Sequence, residues 1–290
     1  MIEDPHGRIE YDEHGAGPTV VLVPGSCSTG AAWRPVMAAW GDRFRCVTTS
    51  LPGYGGTAER RTPHDPSIWH AADALEEVIR TAGEPVHLVG HSAGGLVGLA
   101  VALRKRVALK SLVVIEAPAP ELLRLSGDHD HYRAFREMTE SYFTAHTAGD
   151  AEAIAAMIDF YGGAGTFASW PPRVRDYAVA TTDVNIRDWA SAYGFAPSVA
   201  ELARVNIPVL VLRGEKSHPA VRQANAVLAA RIRRAECITV EGAAHFMIST
   251  HPNRVARLAA EHVLDAESGP HARSFHQPAR NIAPPTPIGA

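Results

Sequence analysis

Short unbroken apolar runs, separated by segments of helical period, constrain this chain more than any other feature. Thr19 to Val23, Val86 to Val89, Leu112 to Ile115 and Pro208 to Leu212 are continuous rather than alternating, as strands covered on both faces should be. Arg45 to Thr49 and Glu236 to Val240 are weaker strand candidates. Between the runs, Ala71, Ala74, Leu75, Val78 and Ile79 form one apolar stripe with Asp73, Glu76, Glu77 and Arg80 outside it, which predicts a helix lying on a sheet. Leu96 to Leu103 is apolar all round and predicts a buried helix, and Asn253 to Leu264 carries Val255, Leu258, Ala259 and Val263 on one side. The alternation reads as α/β, a mostly parallel sheet flanked by helices.

From about 118 to 200 the alternation stops. The helical segments Tyr132 to Thr147 and Ala151 to Phe160 are followed by the breakers Gly162, Gly163, Gly165, Pro171 and Pro172. This block reads as a helical insertion between two strands, either a lid over a site or a stabilising layer. The expected organisation is a core in two parts, 1–117 and 201–265, around a cap at 118–200, with a proline-rich, disordered tail at 266–290. With 46% hydrophobic residues in 290, the chain cannot be disordered throughout. Its 28 basic and 31 acidic residues give a net charge of −3, which argues against a nucleic-acid partner. The scattered Cys27, Cys46 and Cys237 exclude a cysteine-built zinc site and suggest a reducing compartment. No run has the length of a membrane span, and the start has no basic region followed by an apolar stretch, so the expectation is a soluble cytoplasmic protein.

One motif stands out against this frame. Gly90-His91-Ser92-Ala93-Gly94 follows the apolar run Val86 to Val89 directly and leads directly into the buried helical segment. A strand-to-helix reversal this sharp strains the serine backbone and lifts its hydroxyl to the sheet edge, at a helix N-terminus that favours developing negative charge. Ser92 is the candidate nucleophile; a serine that only caps the helix is the competing reading.

With this motif the chain resembles the α/β-hydrolase superfamily over residues 7 to 265. The resemblance includes Val23-Pro24-Gly25-Ser26, Leu51-Pro52-Gly53-Tyr54-Gly55 and Gly242-Ala243-Ala244-His245-Phe246, in the family's order. It implies a nucleophile, an acid and a histidine in that chain order, a helical cap after the sixth strand, and hydrolysis without a cofactor. It also implies an oxyanion hole from the N–H groups of Ala93 and Ser26, with Pro24 standing where many relatives have His.

His245, in a loop after a late strand, is the candidate general base. His91 is read as structural, and Asp128-His129-Asp130-His131 as solvated surface rather than a metal site. The acid departs from the commonest family pattern, because the position three residues after Gly214 is Ser217 and not Asp. Glu116, at the end of Leu112 to Ile115, is the preferred acid, since a carboxylate there needs a partner such as His245. Glu215 is the alternative, and a glutamate that only ties down the cap is a third reading of Glu116.

These residues point to a serine esterase or related hydrolase with no metal and no cofactor, acting on a small molecule through an acyl-enzyme. Trp33, Trp69, Phe160, Tyr161, Trp170, Trp189 and Phe246 are candidate pocket walls, which favour a small apolar or aromatic substrate. A carboxylester, a lactone and the C–C bond of a vinylogous diketone are not separated by sequence, and oligomeric state is not legible in it. Two other classes stay open: a non-hydrolytic member of the fold, of hydroxynitrile lyase, cofactor-free oxygenase or perhydrolase type, and a weakly active ligand-binding receptor.

Overall fold

A computed structural model describes residues 1–268; the segment read as a disordered tail lies outside the described residues from 269 onward. A small antiparallel hairpin, β1 (Ile2–Asp4) with β2 (Gly7–Ile9), opens the chain. The main sheet follows with β3 (Asp12–His14), β4 (Thr19–Val23), β5 (Arg45–Thr48), β6 (Val86–His91), β7 (Leu109–Ile115), β8 (Val209–Gly214) and β9 (Ala235–Val240). Its seven strands lie in the order β3-β5-β4-β6-β7-β8-β9, with only β3 antiparallel to its neighbour.

The continuous apolar runs are continuous because alternate residues enter two separate cores. Val21, Val23, Leu88, Leu112, Val114 and Val211 face one cluster, and Val20, Leu22, Val89, Val113, Ile115 and Leu212 face the other. Each such side chain contributes about 1.5–3 kcal/mol by leaving water, so neither face of the central strands tolerates a polar residue cheaply. Of the helices, α1 (Arg34–Trp40) packs on the second face, and α2 (Ile68–Ala82) and α3 (Ala93–Arg104) pack on the first.

Between β7 and β8 the chain is helical. It runs through α4 (Pro120–Leu125), α5 (His129–Thr147), α6 (Ile154–Gly162), α7 (Thr166–Ser169), α8 (Pro172–Ala180), α9 (Thr182–Tyr193) and α10 (Val199–Ala203). The return to the sheet brings α11 (Pro219–Arg231), the short α12 (Met247–Thr250) and α13 (Pro252–Glu267). No helix among the described residues is long and apolar enough to cross a membrane.

The structure differs from the sequence reading in several places. The N-terminal strands were not expected; α6 starts at Ile154 rather than 151; α13 extends to Glu267, past the expected start of the tail; and Pro172 begins a helix instead of ending one. Glu76, expected outside the α2 stripe, is also buried, because the end of α3 places Arg104 3.4 Å from it and Arg80 lies 3.3 Å away. Burial still raises the Glu76 pKa against both guanidinium groups.

Register sets where function can sit. Val23 pairs with Gly90, Gly90 with Val114, Val114 with Val211 and Val211 with Cys237, so the parallel strands end along one edge. Pro24, Ser92 and Glu116 each follow the last residue of their strand at that edge, where ligands of open α/β sheets bind.

Candidate active site

Ser92 joins β6 to α3 with φ 53° and ψ −126°, a conformation that non-glycine residues rarely hold. Its surroundings fix it there. The Ser92 N–H donates to the Ile115 carbonyl at 2.7 Å, and its own carbonyl accepts from the N–H groups of Gly95 and Leu96 at 2.9 and 3.1 Å. The loop after β4 lies against this turn so closely that a Cβ on Gly94 would stand 2.4 Å from the Pro24 carbonyl oxygen. A Cβ on Gly25 would stand 2.8 Å from the Ser92 Cβ. Glycine at both positions therefore brings Ser26 beside Ser92. Ala93 opens α3, so its N–H has no acceptor within the helix.

His245, which lines the same cavity as Ser92, meets Glu116. The His245 Nδ1 lies 3.0 Å from Glu116 Oε2, and the Gly214 N–H donates to Glu116 Oε1 at 2.6 Å. Both carboxyl oxygens of this fully buried residue are thus satisfied, which removes the penalty of burying it. Glu116 itself sits at φ 51°, held by its N–H to the Leu212 carbonyl at 3.0 Å. Asn225 clamps the next residue, accepting from the Ala117 N–H and donating to the Ala117 carbonyl, each at 3.1 Å.

Glu215 is not part of this arrangement. It is exposed and accepts from the Gly242 N–H at 2.8 Å. Ser217, at the position where the common pattern has Asp, is buried, and its hydroxyl has no partner among the described residues.

Two rings hold the imidazole in place. His91 Nε2 donates to the His245 carbonyl at 2.9 Å, with the ring centroids 4.8 Å apart. Burial, and then the neighbouring His245, push the His91 pKa down to about 3, so it stays neutral as that donor. The Tyr161 ring, on α6, lies 4.1 Å from the His245 ring, and burial keeps its phenol protonated.

Sequence reasoning missed the residue that completes the other end of the site. Asp188, on α9, accepts from Ser26 Oγ at 2.5 Å and from the Tyr54 hydroxyl at 2.7 Å through Oδ2. Its Oδ1 accepts from Arg61 Nη1 at 2.5 Å. No motif announces it, because α9 follows prolines and was not expected as a helix. Beside Ser26, Cys27 holds φ 55°; burial, and then Asp188, push its thiol pKa up to about 12, so it offers no thiolate.

Ser26, Ser92 and His245 border one cavity of about 400 Å³. Of the expected walls, Tyr161, Trp170, Trp189 and Phe246 line it, together with Leu96, Met157, Ile158 and Val174. Trp33, Trp69 and Phe160 do not. Trp33 is fully buried in the second of the two cores; Trp69 is 40% exposed, edge-on to Phe195 and under Arg104; Phe160 stacks on His218. No lysine or arginine lines the cavity among the described residues, and its one acidic wall residue, Asp188, is already paired with Arg61. Asp128 caps the start of α5 by accepting from the His131 N–H, and its Oδ1 lies 2.8 Å from His131 Nδ1.

Comparison with known proteins places these features in context. The sequence pattern of the alpha/beta hydrolase family matches residues 20–258. Among curated proteins, the chain is 35% identical over 118 residues to a putative carbamate hydrolase RutD of Agrobacterium fabrum, covering 40% of this chain and 43% of that protein. It is 33% identical over 107 residues to a pimeloyl-[acyl-carrier protein] methyl ester esterase of Aeromonas hydrophila, covering 37% of this chain and 41% of that protein. The match thus spans less than half the length of these two curated relatives. Among solved structures, a thermophilic esterase of Thermogutta terrifontis aligns with TM-score 0.71 at 21% identity over 91% of this chain and 96% of that one. An enol-lactonase of Burkholderia xenovorans aligns with TM-score 0.69 at 19% identity over 88% and 96%.

Proposed function

The chain belongs to the alpha/beta hydrolase family, and from that premise we propose that it is a serine hydrolase cleaving an ester, lactone or related carbonyl bond of a small, uncharged substrate. The observation that carries the reading is the pairing of His245 Nδ1 with the buried Glu116, on a cavity that also holds Ser92 at a strained turn. With Nδ1 donating to Glu116, His245 has Nε2 left to take a proton from Ser92.

In this mechanism Ser92 Oγ attacks the carbonyl carbon as its proton passes to His245. The carbonyl electron pair moves onto oxygen, which the N–H groups of Ser26 and Ala93 receive, each donor worth on the order of 3 kcal/mol to the transition state. Collapse of the tetrahedral species expels the leaving group with the proton from His245. Water then enters, gives its proton to the same imidazole and releases the acid from the acyl-enzyme. Every group this chemistry needs is a side chain or backbone amide of the chain itself.

The helical segment between β7 and β8 acts as the cap in this reading, since α6, α8 and α9 supply much of the cavity wall. Apolar and aromatic walls without a cation favour uncharged aliphatic or aromatic acyl groups. The names of the two curated relatives extend the substrates worth testing to carbamates and methyl esters. The free thiols of Cys27, Cys46 and Cys237 fit a reducing, cytoplasmic setting.

The test is intact-mass analysis after treatment with a reactive fluorophosphonate, comparing wild type with Ser92→Ala. One adduct on wild type and none on the variant is expected, followed by acid formation from a panel of neutral esters, lactones and carbamates. A folded wild type that takes no adduct overturns the nucleophile. An adduct without acid from any member of the panel moves the reading to a non-hydrolytic member of the fold.

A further inference from the structure

Asp188 belongs to the helical cap, yet all three of its hydrogen-bond partners belong to the core: Ser26 after β4, and Tyr54 and Arg61 after β5. It is 9% exposed, and its carboxylate is compensated by the Arg61 guanidinium, which also contacts Glu59 and the Pro52 carbonyl. A buried ion pair of this kind adds little net stability compared with well-packed apolar side chains. Its placement is informative, because Ser26 supplies an oxyanion donor through its main chain while its side chain is held by the cap.

The oxyanion loop also needs holding. Gly25 is wedged against Ser92, and Cys27 is in the left-handed region at φ 55°, which a non-glycine residue keeps only when its neighbours over-determine it. Between these two, the Ser26 Oγ to Asp188 hydrogen bond is the contact that fixes the residue whose N–H must point at the developing oxyanion. A donor displaced by a fraction of an ångström loses much of its effect, since oxyanion stabilisation depends on dipoles aimed in advance. An unpaired carboxylate this near the oxyanion would oppose it, and Arg61 removes that conflict.

We propose that Asp188 is a positioning residue for the oxyanion hole, tying the cap to Ser26 so that the acyl-transfer site is complete only with the cap seated. The proposal rests on the serine-hydrolase reading and adds a residue outside the Ser92, His245 and Glu116 set. It assigns Ser26 two separable parts, a main-chain donor and a side-chain tether. Ser26→Ala keeps the first and removes the second.

The experiment measures kcat and KM on 4-nitrophenyl acetate, and the rate of fluorophosphonate labelling, for wild type, Ser26→Ala, Ser26→Thr, Asp188→Asn and the Ser26→Ala/Asp188→Asn pair. Ser26→Ala should lower kcat and the labelling rate by about 10- to 100-fold, a loss within the range for disturbing one oxyanion donor, with KM changed by less than about threefold. Ser26→Thr, which keeps the hydroxyl, should recover most of the loss. The double variant should fall no further than the worse single variant, because the two changes break one contact.

Asp188→Asn removes one of the two carboxylates paired with Arg61, leaving Glu59, and is included only if circular dichroism finds it folded; the two Ser26 variants decide the matter without it. Wild-type rates in Ser26→Ala, or a Ser26→Thr as impaired as Ser26→Ala, overturn the proposal while the serine-hydrolase reading stands. A wild type that takes no label overturns both.

Discussion

In the proposed serine-hydrolase reading the acid follows β7 as Glu116 or β8 as Glu215, and the two candidate glutamates make opposite predictions. Glu116 contacts the His245 ring at 3.0 Å, whereas Glu215 is exposed and bonded to the Gly242 main chain. Glu116→Ala should therefore lower kcat by on the order of a thousandfold, as removing the orienting acid of a triad does. Glu215→Ala should stay within about threefold, since a surface hydrogen bond to a loop amide contributes about 1 kcal/mol or less and touches no reacting atom. Steady-state rates on one neutral ester check both. The positions of Ser92, His245 and Glu116 in the candidate site are legible in sequence because each follows a strand, and strand ends are marked by where an apolar run stops. The pocket walls are less legible. Trp33 and Trp189 are alike as sequence, but one points into the core beside α1 and the other into the cavity, and tertiary packing alone separates them. Asp188 is illegible for the same reason, since its three partners lie more than a hundred residues away in the chain.

At the scale of elements, the strands buried on both faces read most clearly, since β4, β6, β7 and β8 all stand in the sequence as apolar runs. β3 does not, because it consists of Asp12, Glu13 and His14, all exposed, and is a strand only through its pairing with β5. α8 was hidden by Pro171 and Pro172, read as breakers; here Pro171 is the N-cap and Pro172 the first helical residue, where a missing N–H is harmless. The elbow between β6 and α3 is where sequence and packing constrain each other most tightly. A methyl group on Gly94 would meet the Pro24 and Val23 carbonyl oxygens at 2.4 and 2.5 Å, and those are main-chain atoms at and just past the end of a central strand and cannot swing aside as a side chain could. Gly94→Ala should therefore destabilise the fold by about 1–3 kcal/mol through overpacking, which lowers Tm by roughly 2–10 °C in a chain of this size. It should also reduce activity more than stability, because the displaced segment leads into Ser26. Differential scanning calorimetry beside ester kinetics checks it, and a variant with wild-type Tm and rate would show that the loop yields freely.

For the whole molecule, the two cores that meet on the sheet bury titratable groups as well as apolar ones, and this ties global stability to pH. His87 and His91 both lie on β6, each less than 5% exposed, and burial lowers the pKa of each. His87 bridges Ser111 and Glu267 at 2.8 Å on either side, linking the sheet to α13, while His91 holds the His245 main chain. In the folded chain His91 stays neutral down to about pH 3, whereas in the unfolded chain a histidine takes up a proton near pH 6.5. Between those two values the unfolded state binds more protons, so the His91 contribution is fully present above about pH 6.5 and is lost as pH falls. At pH 5 the linkage for this one residue amounts to about 2 kcal/mol of stability lost relative to neutral pH, and His87 adds to it in the same direction. The carboxylates whose pKa values the fold lowers, such as Glu59 and Glu267, release their contribution only at lower pH, and the raised Glu76 works in the opposite direction, so the loss on acidification in this window comes from histidine. His91→Gln keeps an N–H donor for the His245 carbonyl and has no proton to gain. It should therefore lose about 2 kcal/mol less than wild type between pH 7.5 and pH 5 by urea denaturation. Equal losses in the two proteins would mean that His91 is protonated within the fold, and that the acid sensitivity arises elsewhere in the two cores.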